Sequence, residues 1–236
     1  MTPNAFQPSR LAFRSFVLLA VSPLVVLACA VEAPADDVPL NAPPEGFVAL
    51  FNGKDLSGWK GLVESPPKRA ALTAEQLADA QKAADAKMRE HWSIVDGALE
   101  FDGKGKALCT EKDYGDFEMY VDWKIEPGGD SGIYLRGSPQ VQIWDRPVGS
   151  GGLYNNQEHP SDPLVAADNP VGEWNTFYIK MVGDHVTVKL NDKLVTDTVM
   201  ENYWEREKPI YPTGQIELQD HGSKLWFRNI YLRELD

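Results

Sequence analysis

The sequence predicts an all-β, two-sheet sandwich with one short helical insertion, and three observations carry that prediction. From Gly46 to the C-terminus, short runs of alternating apolar and polar residues follow one another with Gly, Pro, Asn and Asp between them. Asp96-Gly97, Gly183-Asp184 and Asn191-Asp192 each separate two such runs at hairpin distance. Only residues 73–90 have a composition dominated by helix formers. Many short strands and so little helix leave a sheet to be buried against another sheet.

Taken in chain order, the N-terminus reads as an export signal rather than as fold. Arg10 and Arg14 precede a stretch without charge from Ser15 to Val31, with small residues at Ala28, Cys29 and Ala30. Ala28-Cys29-Ala30 fits an ordinary secretory cleavage site, and Val26-Leu27-Ala28-Cys29 fits a lipobox with Cys29 as the lipidated residue. Both imply an exported protein, whether periplasmic, secreted or lipid-anchored, that meets the membrane only through the signal or the anchor. Interrupted by Pro23, the apolar stretch falls short of the 20 or so residues a spanning helix needs. The signal is expected over 1–30 and a disordered, Pro-rich tether over 31–45, leaving one domain over 46–236.

Within that domain the candidate strands are 47–51, 91–95, 98–102, 107–110, 117–124, 132–136, 141–144, 175–182, 185–190, 193–199, 214–219 and 225–232. The helix at 73–90 has Thr73 as its cap, with Gln76 completing a capping box. Leu77, Ala80, Ala84 and Met88 give it a thin apolar stripe, suited to docking on a sandwich edge. Once Cys29 is set aside only Cys109 remains, so no intramolecular disulfide framework exists, and its strand-like surroundings mark it as a buried, inert thiol. Formal charge is −12, or −14 without Arg10 and Arg14. That disfavours nucleic acid and anionic membranes and suits a neutral substrate.

Alternation assigns side chains to faces. Along 117–124, Phe117, Met119, Val121 and Trp123 form the apolar side, opposed by Glu118, Tyr120, Asp122 and Lys124. Elsewhere Tyr134 and Arg136 oppose Ile133 and Leu135; Gln140, Gln142 and Trp144 share a face with Asp145 closing the strand; and Gln215, Glu217, Gln219 and His221 oppose Ile216 and Leu218. These strands carry planar donors and acceptors beside aromatic rings, rather than the Thr, Lys and Ser of a merely wet sheet. Such a set takes sugar hydroxyls on amides and carboxylates and the C–H face of the ring on aromatics.

Other motifs fail on context. Gly103-Lys-Gly-Lys and Gly149-Ser-Gly-Gly do not join a strand to a helix as a phosphate loop does. His91, His159, His185 and His221 have no zinc-type spacing. Ser131, in Gly-Asp-Ser-Gly, has no partners arranged for a triad.

Six segments then fall into a familiar order: Gly46-Phe-Val-Ala-Leu-Phe-Asn-Gly-Lys-Asp-Leu-Ser-Gly-Trp, Tyr114-Gly-Asp-Phe-Glu-Met, Gly128-Gly-Asp-Ser-Gly-Ile-Tyr-Leu-Arg, Val141-Gln-Ile-Trp-Asp, Gly172-Glu-Trp-Asn and Gly214-Gln-Ile-Glu-Leu-Gln-Asp-His-Gly. The set resembles the 3-keto-disaccharide hydrolase domain family, and the match runs from about Gly46 to Leu235. Asp130 stands where that family usually has Asn, and Gln140 where it often has Glu; the 73–90 helix is absent from its shorter members.

The resemblance implies a concanavalin A-like jelly roll and a carbohydrate substrate, a glycoside already oxidised to a ketone at C3. Cleavage would run by hydrolysis, or by loss of the C2 proton, elimination and hydration. It also implies roles: His221 as general base or acid, Asp145 and Glu217 as acid partners, and Arg136 as the enolate stabiliser. Asp122, Ser131, Tyr134, Gln142 and Gln219 would orient hydroxyls and Trp144 would stack on the ring. His221, Asp145 and Glu217 also make a ligand set for a divalent cation acting as Lewis acid. A non-catalytic carbohydrate-binding jelly roll is the competing expectation.

Overall fold

The computed structural model describes Met1 and residues 39–235. The expected signal, Met1 apart, and most of the expected tether lie outside the described residues. The part of the tether that is described is docked, which corrects the expected boundary. Asn41 N–H donates to Asn229 Oδ1 and Asn229 N–H to Asn41 Oδ1, both at 2.8 Å, and Asn41 Nδ2 donates to the Gly97 carbonyl. The chain is therefore tied to the domain from about Asn41 onward.

The elements in order are β1 (Val48–Ala49), β2 (Trp59–Gly61), α1 (Pro66–Ala70), α2 (Ala74–His91), β3 (Trp92–Val95), β4 (Ala98–Asp102), β5 (Leu108–Thr110), β6 (Phe117–Ile125), β7 (Asp130–Tyr134), β8 (Gln140–Trp144), β9 (Asn175–Val182), β10 (His185–Leu190), β11 (Lys193–Val199), β12 (Glu217–Leu218) and β13 (Lys224–Glu234). They build a jelly-roll sandwich of two antiparallel sheets. The large sheet runs β11-β10-β9-β6-β13-β4-β3, with β1 added to β13, and the small sheet runs β2-β5-β12-β7-β8. Phe117, Met119, Val121 and Trp123 of β6 are buried, as alternation requires, and face Leu108, Ile133, Val141, Ile143 and Leu218 of the small sheet in one core.

The helical insertion forms as expected, with the Thr73–Gln76 capping box complete. It closes an edge. Ala84 and Met88 are buried, and Gly61 on edge strand β2 is so close that a Cβ there would lie 2.3 Å from the Ala84 carbonyl oxygen. Gln81 Nε2 donates to Gly61 O at 2.8 Å and Gly61 N–H donates to Asp85 Oδ1 at 2.9 Å. Helix side chains thus take up the open hydrogen bonds of the edge strand, where another chain would otherwise pair. The short strand β2 and the turn of helix α1 are additions to the expected elements.

Candidate active site

The register of the small sheet places Lys60, Cys109, Glu217, Tyr134 and Gln140 side by side in a single row across all five strands. Their neighbours along the chain, Leu108, Leu218, Ile133 and Val141, point into the core, so the row lies on the opposite, outward face. In the next row Gln219 N–H donates to Gly132 O, and Gly132 pairs with Gln142. A Cβ at Gly132 would lie 2.1 Å from Gln140 Cγ. That bare position lets the Gln140 side chain lie across the sheet.

A chain of polar contacts follows. Gln140 Nε2 donates to Gln142 Oε1 (3.2 Å) and Gln219 Oε1 (3.3 Å), and Gln219 Nε2 donates to the Tyr134 hydroxyl oxygen (3.4 Å). At the other end Gln142 Nε2 donates to Asp130 Oδ1 at 2.8 Å, and His221 Nδ1 lies 3.5 Å from the same oxygen. His221 is more than half exposed (57 %).

At the centre stands Glu217, 3 % exposed. Its Oε1 has no hydrogen-bond partner, nor has Oε1 of Gln140 or of Gln215. A cavity of about 230 Å³ opens on it, walled by Tyr134, Gln219, Pro66 and Trp204. Pro66, at the start of α1, and Gly137 close over the carboxylate: a Cβ at Gly137 would lie 2.8 Å from Pro66 Cγ and 3.4 Å from Glu217 Oε1. Burial pushes the Glu217 carboxyl up to about 7, opposed by the Arg69 charge. Burial, and then the charge of Glu217, raises the Tyr134 hydroxyl above its ordinary range, which keeps it a proton donor at neutral pH. The Cys109 thiol is pushed up to about 12, by burial first and Glu217 second, and is inert as expected.

An aromatic wall borders this face. Trp204 Nε1 donates to Gly137 O at 2.6 Å, its ring meets Tyr203 edge-on at 4.7 Å, and Tyr203 lies 6.1 Å from Tyr154. Tyr154 and Trp204 are partly exposed, as a stacking surface requires. These three rings and Asp130 join the cluster without having been marked as candidates by the sequence, whereas Gln140 and Gln215 were placed on its polar faces but given no role. Adjacent aromatics at Tyr203-Trp204 were the one signal available in loops without periodicity.

Of the expected set, Glu217, Tyr134, Gln142, Gln219 and His221 come together, and the others do not. Arg136 sits at a left-handed φ of 55° and is 2 % exposed. Its Nε donates to Gly115 O, Nη1 to Gly183 O and Tyr211 O, and Nη2 to Asp116 Oδ1. Those donors brace loops and are not offered to a ligand. Asp122 belongs to the large sheet, on the other side of the sandwich, where Thr176, Arg228 and Asn229 bond it. Ser131 is buried and donates to Gln219 O. Trp144 and Asp145 line a separate cavity of about 370 Å³ with Trp123 and Asp168, and Asp145 accepts from Gly128 N–H. His221, Asp145 and Glu217 therefore do not converge on one point. Among the described residues no group of three or more His, Cys, Asp or Glu is placed to hold a metal ion.

The family model for a 3-keto-alpha-glucoside-1,2-lyase-like domain matches residues 46–233. A protein of Bacteroides thetaiotaomicron named 3-keto-disaccharide hydrolase is 25 % identical over 265 residues, covering 86 % of this chain and 83 % of that protein. Two solved structures from Parabacteroides distasonis, provisionally assigned as glycosyl hydrolases, are similar as well. The first is 25 % identical with a TM-score of 0.63 and covers 84 % of this chain and all of its own. The second is 27 % identical with a TM-score of 0.59 and covers 81 % of this chain and 85 % of its own.

Proposed function

The chain belongs to the 3-keto-alpha-glucoside-1,2-lyase-like domain family, and from that premise we propose that it cleaves 3-keto glycosides with Glu217 as the proton-transfer group. Glycoside cleavage by a hydrolase-type enzyme is supported by that membership and by the similarity to a protein named 3-keto-disaccharide hydrolase. The single observation that carries the assignment to Glu217 is its buried carboxylate with an unpartnered oxygen, raised to about 7, in a cavity lined by Tyr134, Gln219 and Trp204. A group that titrates near neutrality can both take and return a proton there.

The chemistry needs little more. A ketone at C3 acidifies the C2 proton because its removal leaves an enolate. Ionised Glu217 takes that proton, the C1–O bond breaks with its electron pair going to the glycosidic oxygen, and that oxygen receives a proton. The enone left behind takes up water: hydroxide bonds to C1 and a proton returns to C2. Tyr134 serves the C3 oxygen, since its hydroxyl oxygen accepts from Gln219 while its own proton is free to be donated. Gln140 and Gln215, with their unpartnered carbonyl oxygens, take sugar hydroxyls. His221, 3.5 Å from Asp130 Oδ1, stands at the exposed end of the network.

The test is incubation with a 3-keto disaccharide, with and without chelator, following release of the free sugar and the ultraviolet absorbance of the enone. Deuterium from solvent should appear at C2. Absence of turnover on every 3-keto glycoside would leave the sugar-binding reading, in which affinity is present and chemistry is not.

A further inference from the structure

Beside the Glu217 cavity lies a second and larger depression, a groove of about 950 Å³ lined in part by α1. One wall is the helical insertion, with Pro67 of α1 and Ala74, Leu77 and Ala78 of α2; the other is the small sheet and its loops, with Gln215, Glu111 and Tyr211. Pro66 lines both depressions. Gln215 stands two residues before Glu217, so its side chain is on the same face about 7 Å along the strand. It is 5 % exposed and its Oε1 has no partner. A buried carbonyl oxygen without a donor is unfavourable unless a ligand supplies one. The cavity at Glu217, at about 230 Å³, falls below the roughly 300–1,000 Å³ of ordinary small-molecule sites. It is sized for part of a substrate.

We propose that this groove is the leaving-group subsite, and that it takes a second, uncharged, hydroxyl-rich ring beyond the bond that is cleaved. The inference rests on the function proposed above and adds the class of leaving group to it. The apolar wall of Pro67, Leu77 and Ala78 suits the C–H face of a ring, and Gln215 suits its hydroxyl edge. Lys60, Arg69 and Arg136 are offset by Glu111, Asp113 and Glu205, so the groove favours neither sign of charge. Arg69 is further committed, with Nη1 donating to the carbonyls of Val63 and Glu64. The helical insertion thereby acquires a second role beside closing the edge of the sheet: it makes this chain selective for glycosides with a bulky leaving group.

Ala78 is exposed on the helix surface, and Ala78→Trp would fill the groove. The experiment compares kcat/KM for a 3-keto disaccharide with that for the matching 3-keto methyl glycoside. The ratio should fall about tenfold or more in Ala78→Trp and about fivefold in Gln215→Ala, as expected when a contacting surface or a hydrogen bond to one substrate is lost. Ala74→Trp, at the first turn of the same helix, replaces Ala78→Trp should that variant not fold. A ratio that stays within about twofold of wild type in these variants overturns the subsite. If the wild type turns over neither substrate, the proposed function fails, and the groove is judged by calorimetric titration with an unoxidised disaccharide and its monosaccharide. Tighter binding of the disaccharide that Ala78→Trp removes upholds the groove; equal affinity of the two sugars for wild type overturns it.

Discussion

The two outward faces of the sandwich use nearly the same side chains to opposite ends. On the large sheet Asp122 accepts from Thr176, Arg228 and Asn229, and Glu118 pairs with Arg233 and Lys180. Glu100 accepts from Trp226 Nε1 and pairs with Lys224, and Lys124 lies over the rings of Trp174 and Trp226. On the small sheet Glu217, Gln140 and Gln215 each keep a buried oxygen without a donor. Of the five buried side-chain atoms that lack partners among the described residues, four belong to the small sheet or the turns and extensions of its strands, and the fifth, Trp123 Nε1, belongs to a buried residue of β6. Composition is thus a poor guide to a site and satisfaction a good one. A face whose polar groups are saturated by one another contributes stability, whereas one left unsaturated under cover carries a cost that a ligand can relieve.

The largest expected effect breaks the comparison if it fails. Glu217→Gln keeps the shape and removes the titrating proton, so kcat should fall by about 10²–10⁴ with affinity for substrate within about tenfold. The same variant carries a stability signature of definite sign. The folded value of Glu217, about 7, lies above that of an unfolded carboxyl, so the fold favours the protonated form. The stability this gives is fully present below about pH 4.5 and is lost as pH rises through 7. At pH 8 the buried charge costs about 3 kcal/mol. Glu217→Gln should therefore melt higher than wild type at pH 8, with the advantage shrinking towards pH 5. A variant less stable at both would show that the carboxylate has partners after all.

On the other face, Asp122→Ala should leave kcat/KM within about twofold while costing about 1–3 kcal/mol in urea unfolding, since three donors lose their acceptor. Loss of turnover without loss of stability would put Asp122 in a site and collapse the distinction between the faces.

Asp122 also marks what the sequence could and could not reveal. Alternation gave the right inward side for β6, since Phe117, Met119, Val121 and Trp123 are all buried, and it gave the right side for Glu217 and Tyr134 as well. It could not say that β6 and β12 belong to different sheets, because alternation fixes a side chain relative to its own strand while strand partnership is long-range. Polar faces expected to be one are therefore two, back to back. Arg136 was misread for a different reason: the left-handed backbone at Arg136, two residues past the end of β7, takes its side chain out of the strand's alternation. Trp204, Tyr203 and Tyr154 come from loops with no period to read. The burial of Glu217 depends on Pro66 and Gly137, the first more than a hundred residues away in sequence, and no local pattern carries that.

The smallest effect sharpens the contrast most, because its direction is the result. Among the described residues Arg69 is the charge that opposes the desolvation of Glu217, and it also holds the turn before α1 by donating to the Val63 and Glu64 carbonyls. Removing it has two opposed consequences. Loss of the positive charge raises the Glu217 value further, while loosening of the turn would admit water beneath Pro66 and lower it. For Arg69→Gln, which retains a hydrogen-bond donor, we expect the carboxyl titration followed by carbon-13 NMR, and the matching limb of the kcat/KM profile, to move to higher pH. A shift to lower pH would mean that the α1 turn, more than the absence of partners, keeps the small-sheet face unsaturated. The difference between the two faces would then originate in the cover over one of them, not in the side chains of either.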